Sequence, residues 1–258
     1  MDLQHAIMQS CDVYYYSLAN DLGINRLHDG LVAFGFGQQT GIDISGESSG
    51  LVPSEEWKRK VYKEPWYQGE TVIAGIGQGS LLVTPLQLAR ATAALANPGR
   101  LLSPHLAFKA QDPITGLERP LPHTPSRPVP YYDPQIWDKI RSAMESVVHG
   151  DFGTARRSGF NAQYHFAGKT GTSQIIGIAQ DENYKKENIP ERFQDHALFI
   201  AFAPVEKPRV VVAIIVENGG SGSGAAAPIA RTLFDKYLLN IEPGIEDGRT
   251  ISGTTVTH

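Results

Sequence analysis

A single cysteine, Cys11, stands among the 258 residues. It has no partner for an intrachain disulfide, and without a C-x-x-C pair there is neither a zinc-finger ligand set nor a dithiol redox centre. No run approaches the roughly 18 consecutive apolar residues that a membrane-spanning helix needs. The opening residues, MDLQHAIMQS, have neither the basic start nor the apolar stretch of a secretory signal. Net charge is scarce as well: 23 Lys+Arg face 27 Asp+Glu, giving -4, with no long basic run. The electrostatic footprint of a nucleic-acid binder is missing, so no nucleic acid is expected as a partner. What the chain has is apolar mass. At 41% hydrophobic it can bury a substantial core in one large domain or two small ones, which excludes general disorder. Helical spacing begins almost at residue 1, so Met1 is expected to be an internal position of a longer protein.

Leu3 and Ile7, then Val13, Tyr16 and Leu18, keep helical spacing on either side of Ser10-Cys11-Asp12. This predicts a helix to about residue 9, a turn at 10 to 12 and a second helix ending before Gly23. Another helix is expected over Asn25 to Phe34, and 36 to 82 reads as loop-rich. Thr84-Pro85 opens the helix LQLARATAALAN, with Thr as cap and Pro in the first turn. Asp133-Pro134 opens IWDKIRSAMESVV, whose Ile136, Ile140, Met144 and Val147 or Val148 mark one apolar face.

After residue 160 the period changes. YHFAGKTGTSQII, HALFIAFAP and RVVVAIIVEN read as strands of one antiparallel sheet near 164 to 176, 195 to 204 and 208 to 217, with PIARTLFDKYLL as a helix over one side. The charged stretch AQDENYKKENIPERFQ is expected to be a solvated excursion, and 241 to 258 a disordered tail. Helices first and a sheet afterwards, with no βαβ alternation, is an α+β order. It predicts an antiparallel sheet with helices on its faces plus a helical lobe.

Gly168-Lys169-Thr170 invites a phosphate-loop reading, but position 163 is Gln where that loop needs Gly, and a strand follows where a helix should open. Gly75, Gly77 and Gly79 fail the dinucleotide spacing because position 80 is Ser. Lys169-Thr170-Gly171-Thr172 fits a different use, as the inner edge strand of a penicillin-interacting serine enzyme, where K-T-G accompanies S-x-x-K and S-D-N. Ser10-x-Asp12, about 160 residues upstream, is similar to the second of those motifs, with Asp in place of the usual Asn. The plain alternative for this pair is a helix N-cap.

Three further stretches match in order: FGFGQQTGIDISGESSGLVPS, PWYQGETVIAGIGQGSLLVTPLQLARATAALANPG and ENGGSGSGAAAPIA. Together with KTGT they resemble the transpeptidase domain of class B penicillin-binding proteins, most closely the cell-elongation members. The resemblance covers roughly residues 1 to 240. It implies the penicillin-binding transpeptidase fold shared with serine β-lactamases, and an enzyme that crosslinks peptidoglycan at the periplasmic face of the bacterial inner membrane, anchored from upstream. The implied partners are peptidoglycan stem peptides, β-lactam antibiotics and proteins of the elongation machinery. The implied catalytic residues are Ser10, Asp12, Lys169 and Thr172, with Thr170, Gly171 and Thr172 binding substrate.

One departure governs mechanism. No Ser or Thr in the chain has Lys three positions later, so the S-x-x-K motif with its nucleophile and adjacent base is absent. In the family it lies several dozen residues before the Ser-x-Asn element, so this chain is expected to be truncated on its N-terminal side and inactive alone. Relatives in this family can use a cysteine at the Ser-x-Asn motif in a zinc site with upstream ligands. His5 alone is a poor substitute for those ligands, so no metal and no cofactor are expected. Two readings compete with the transpeptidase. A β-lactamase or β-lactam sensor shares the motifs but would normally lack the GIGQGSLLVTPLQLARA run. A non-catalytic binding module or scaffold suits the missing S-x-x-K but not the intact KTGT.

Overall fold

The computed structural model describes residues 1–122, 124–130, 133–175, 190–241, 244–246 and 249–251. Its helices are α1 (Leu3–Gln9), α2 (Asp12–Leu22), α3 (Ile24–Ala33), α4 (Glu55–Tyr62), α5 (Gln68–Ala74), α6 (Pro85–Ala96), α7 (Pro134–His149), α8 (Arg156–Gly159) and α9 (Ala227–Leu239). Its strands are β1 (Arg100–Leu101), β2 (Lys109–Gln111), β3 (Glu118–Pro120), β4 (Arg127–Pro128), β5 (Ala167–Ser173), β6 (His196–Ala203), β7 (Val210–Val216), β8 (Gly244–Glu246) and β9 (Arg249–Ile251). The chain divides into two compact units, residues 1–14 with 135–258, and residues 15–134. Among the described residues no helix is long and apolar enough to cross a membrane.

The first unit is built on a three-stranded antiparallel sheet in the order β5-β6-β7, as the change of period predicts. Side chains alternate across a strand, so Ala197, Phe199, Ala201 and Ala203 of β6 share one face, and all four are fully buried. Their cross-strand neighbours on β7 are Val216, Ile214, Val212 and Val210. Onto this face packs α9, through Ala227, Ala230 and Phe234. The alanines on both sides let helix and sheet approach closely, and the aromatic rings fill the space left over. Phe234 meets Phe166 edge to face, with centroids 5.4 Å apart. A polar clamp fixes the helix at its far turn. Arg231 Nε donates to both Asp235 oxygens at 2.8 Å, and Arg231 also donates to the carbonyls of Ser158, Phe160 and Asn161. Asp235 accepts from the Tyr164 hydroxyl at 2.7 Å, and burial raises the pKa of that hydroxyl. The clamp therefore ties α9 to the chain leading into β5.

The second unit shows how capping overrides a loop-like composition. At α6, Gln87 N–H donates to Thr84 Oγ1 at 3.1 Å while Thr84 N–H donates to Gln87 Oε1 at 2.9 Å, the reciprocal box that the Thr84-Pro85 signal anticipates. The Gln87 amide then donates to the carbonyls of Gln38 and Ser49, so this buried polar side chain is satisfied. The stretch 36 to 82, expected as loop, contains α4 and α5. Ser54 caps α4 by accepting from Trp57 N–H at 3.1 Å, and Glu70 accepts from Tyr67 N–H at 2.9 Å at the start of α5. Both helices are short and sit among turn residues, so neither stands out from the loop-rich stretch around it. They are held instead by Lys58, which is 6% exposed, pairs with Glu70 and lies 4.3 Å from the Tyr67 ring centroid.

Most of the charged excursion, 179 to 189, lies outside the described residues, and its end forms a short turn at Glu191–Phe193. In the C-terminal tail, β8 pairs antiparallel with β9.

Phe234→Ala is expected to cost about 3 to 5 kcal/mol, the usual loss for emptying a buried aromatic site. Phe160→Ala, at a side chain 75% exposed, should stay within about 0.5 kcal/mol. Urea unfolding of the two variants checks both, and equal losses would contradict the placement of the core.

Candidate active site

The site grows from the end of a helix and the edge of a sheet. α1 starts at Asp2, whose carboxylate accepts from His5 N–H at 2.8 Å, and it ends at Ser10 with φ 56 and ψ 55. A left-handed conformation in a residue with a side chain is costly and persists only where its surroundings enforce it. Here Ser10 N–H donates to Ile7 O at 3.3 Å and Cys11 N–H to Ala6 O at 3.0 Å, closing the helix. Ser10 therefore terminates α1, and α2 opens at Asp12. The left-handed turn leaves the Ser10 side chain exposed rather than folded against the helix.

Lys169 comes from β5, which among the described residues pairs with β6 alone, with Lys169 opposite Ile200, Thr170 opposite Phe199 and Thr172 opposite Ala197. Its ammonium donates to Ser10 Oγ at 2.8 Å and to Thr170 O at 2.8 Å. Desolvation holds the Lys169 pKa down at about 8, against the opposing pull of the Asp12 carboxylate, which favours the charged form. The sequence candidates Ser10, Asp12 and Lys169 are thus brought together. Thr170 Oγ1 lies 3.0 Å from Thr154 Oγ1, and Thr172 is exposed further along the strand.

Two glycines allow close packing on the sheet, one against backbone and one against an aromatic ring. A Cβ at Gly222 would fall 2.3 Å from Leu198 O and 2.7 Å from Gly171 O, so the turn before α9 lies flat on β5 and β6 only because Gly222 has no side chain. A Cβ at Gly168 would meet the Phe199 ring at 2.4 Å. Chemically, the arrangement presents a cation, a hydroxyl hydrogen-bonded to it and, among the described residues, a strand edge with no second partner strand, the kind of edge an extended ligand can join. Among the described residues no group of three or more His, Cys, Asp or Glu is placed to hold a metal, and Cys11 is half-buried. Thr154 was missed in the sequence. It sits in GDFGTARRSG, a turn whose composition signals only a helix end.

The penicillin-binding protein transpeptidase domain model matches residues 1–235. The peptidoglycan D,D-transpeptidase MrdA of Haemophilus influenzae is 40% identical over 256 residues, covering 95% of this chain. A crystal structure of Pseudomonas aeruginosa PBP2 in complex with WCK 5153 superposes with a TM-score of 0.80 at 43% identity, over 98% of this chain. The complex between PBP2 and MreC from Helicobacter pylori gives 0.78 at 32% identity, over 93% of this chain. The chain spans 37% of the length of the Haemophilus protein, 49% of the Pseudomonas chain and 40% of the Helicobacter chain. With a family match over nearly its whole length and this much identity, the chain belongs to the penicillin-binding protein transpeptidase family.

Proposed function

We propose that this chain is the substrate-cleft portion of a peptidoglycan D,D-transpeptidase of cell-wall elongation. The observation that carries the reading is the 2.8 Å contact of Lys169 Nζ with Ser10 Oγ, on the open edge strand KTGT, between residues 159 apart in sequence. The reaction is acyl transfer. A serine attacks the D-Ala-D-Ala carbonyl, terminal D-Ala leaves, and an amine of a neighbouring stem peptide resolves the ester. In this reading Ser10 relays protons toward the leaving amine and Asp12 supplies a negative charge to the cleft. Lys169 holds positive potential, Thr170 and Thr172 bind the terminal carboxylate beside Gly171, and the Thr172 N–H contributes half of the oxyanion hole. The sequence has no S-x-x-K, so we place the nucleophile and its base in sequence outside these 258 residues. β-Lactams occupy the same cleft as substrate mimics, the enzyme works in the periplasm at the inner membrane, and an MreC-type elongation protein is the expected partner, as for the Helicobacter relative.

The Lys169 pKa sets a pH dependence. Below about 8 the ammonium is charged and attracts a carboxylate, and above it the amine is neutral. Affinity for N-acetyl-D-Ala-D-Ala should therefore fall as pH rises through about 8, well before an ordinary lysine titrates near ~10.4. NMR titrations between roughly pH 6.5 and 10 check this. A flat profile, or the same profile in Lys169→Met, would sink the assignment of Lys169. A second test follows from the missing nucleophile. Incubated with a fluorescent penicillin, the 258-residue chain should form no covalent adduct by intact mass, because removing a serine nucleophile leaves only residual catalysis. A stoichiometric adduct mapped to Ser10 or another serine would refute the placement of the nucleophile outside the chain.

A further inference from the structure

Thr154 sits in the turn between α7 and α8 and touches both halves of the site through separate groups. Its backbone N–H donates to Met8 O at 3.3 Å, two residues before Ser10, and its hydroxyl lies 3.0 Å from that of Thr170. The turn has little freedom to move. Ala155 is buried, its N–H donates to Val147 O at 2.9 Å, and a Cβ on Gly153 would fall 2.3 Å from that same oxygen. α1 rests on the turn as well, since a Cβ on Gly150 would lie 2.9 Å from Met8 Sδ.

A hydroxyl carries one proton and two lone pairs, whereas a carboxylate only accepts. When Thr170 gives its proton to a carboxylate, the line between the two threonine oxygens must be filled by the proton of Thr154. We propose that Thr154 is a positioning residue, donating to Thr170 and so aiming the Thr170 proton at the terminal carboxylate of the acyl donor. The proposal rests on the D-Ala-D-Ala reading above. Donation in series polarises the second hydroxyl and strengthens its bond to the carboxylate. Thr154 itself need not touch the ligand, and its anchorage to Met8 keeps the aimed hydroxyl in register with Ser10.

The test is an NMR titration of the 258-residue chain with N-acetyl-D-Ala-D-Ala and with its methyl ester. Thr154→Val, which keeps the shape and removes the proton, should weaken binding of the acid about five- to tenfold and of the ester by less than about twofold. Thr154→Ser should restore the acid to within about twofold of wild type. Thr170→Val should lose a similar factor, and the Thr154→Val, Thr170→Val pair no more than Thr170→Val alone. Thr154→Ala serves as a second proton-free variant if the valine form unfolds. Equal weakening of acid and ester, failure of the serine form to restore binding, or full acid binding by Thr154→Val beside a weakened Thr170→Val would each overturn the proposal alone. If neither wild type nor Thr170→Val distinguishes acid from ester, the D-Ala-D-Ala reading falls and the proposal falls with it.

Discussion

An ammonium half-withdrawn from water at the rim of a sheet is the constraint around which the first unit is arranged. Desolvation penalises the charged form of Lys169, and its depressed pKa shows that this penalty outweighs the attraction of Asp12. The charge is tolerable because two of its three protons are given to defined acceptors, Ser10 Oγ and Thr170 O. One acceptor belongs to the strand itself and needs no arrangement. The other comes from a helix end 159 residues away and requires α1 to stop where it does, in a conformation that only Gly adopts without cost. The left-handed Ser10 and the desolvated Lys169 are two strained features that support one another, and strain of this kind collects at functional sites.

The sheet edge has to stay both open and rigid, and these demands conflict. An unpaired strand edge is a template for unwanted pairing, and a charged residue on it is a common defence. Lys169 fills that role on β5 while also serving the cleft. Rigidity comes from behind, where the glycine-rich turn at 222–226 lies on the β5 and β6 backbones and runs directly into α9. α9 is in turn locked by the Phe166 and Phe234 rings and by the clamp of Arg231, Asp235 and Tyr164. A ligand lying along β5 thus meets a surface whose position is set by a packed core rather than by a loop.

Much of this was legible in the chain of letters, for reasons specific to each element. The sheet and α9 announce themselves because buried strands and helices carry different periods, and α6 does so because its Thr-Pro start satisfies backbone donors in a way few other sequences can. KTGT and Ser10-x-Asp12 were readable as a pair only because five ordered segments agree. Alone, Ser10 looks like a helix start, and the structure makes it a helix end. That difference is invisible locally, since the left-handed turn is enforced by the partners of Ser10 and not by its own preference. α4 and α5 were hidden for a related reason. Their stability lies in Lys58, Glu70 and Tyr67 meeting in space, and no window of residues shows that meeting. Thr154 was the hardest case, a common residue in a common turn whose role comes wholly from what stands opposite it.

The geometry also separates the two serine roles that acyl transfer needs. A nucleophilic serine must present a lone pair of rising basicity to a carbonyl while a base removes its proton. Ser10 does the reverse, because its oxygen already accepts a proton from an ammonium, and accepting from a cation draws electron density away from the attacking lone pair. Its remaining capacity is one proton to give and one lone pair, the equipment of a relay between an amine and a cation. In the proposed transpeptidation, the same contact that makes Ser10 unfit to attack makes it fit to deliver the proton that the leaving D-Ala amine must receive.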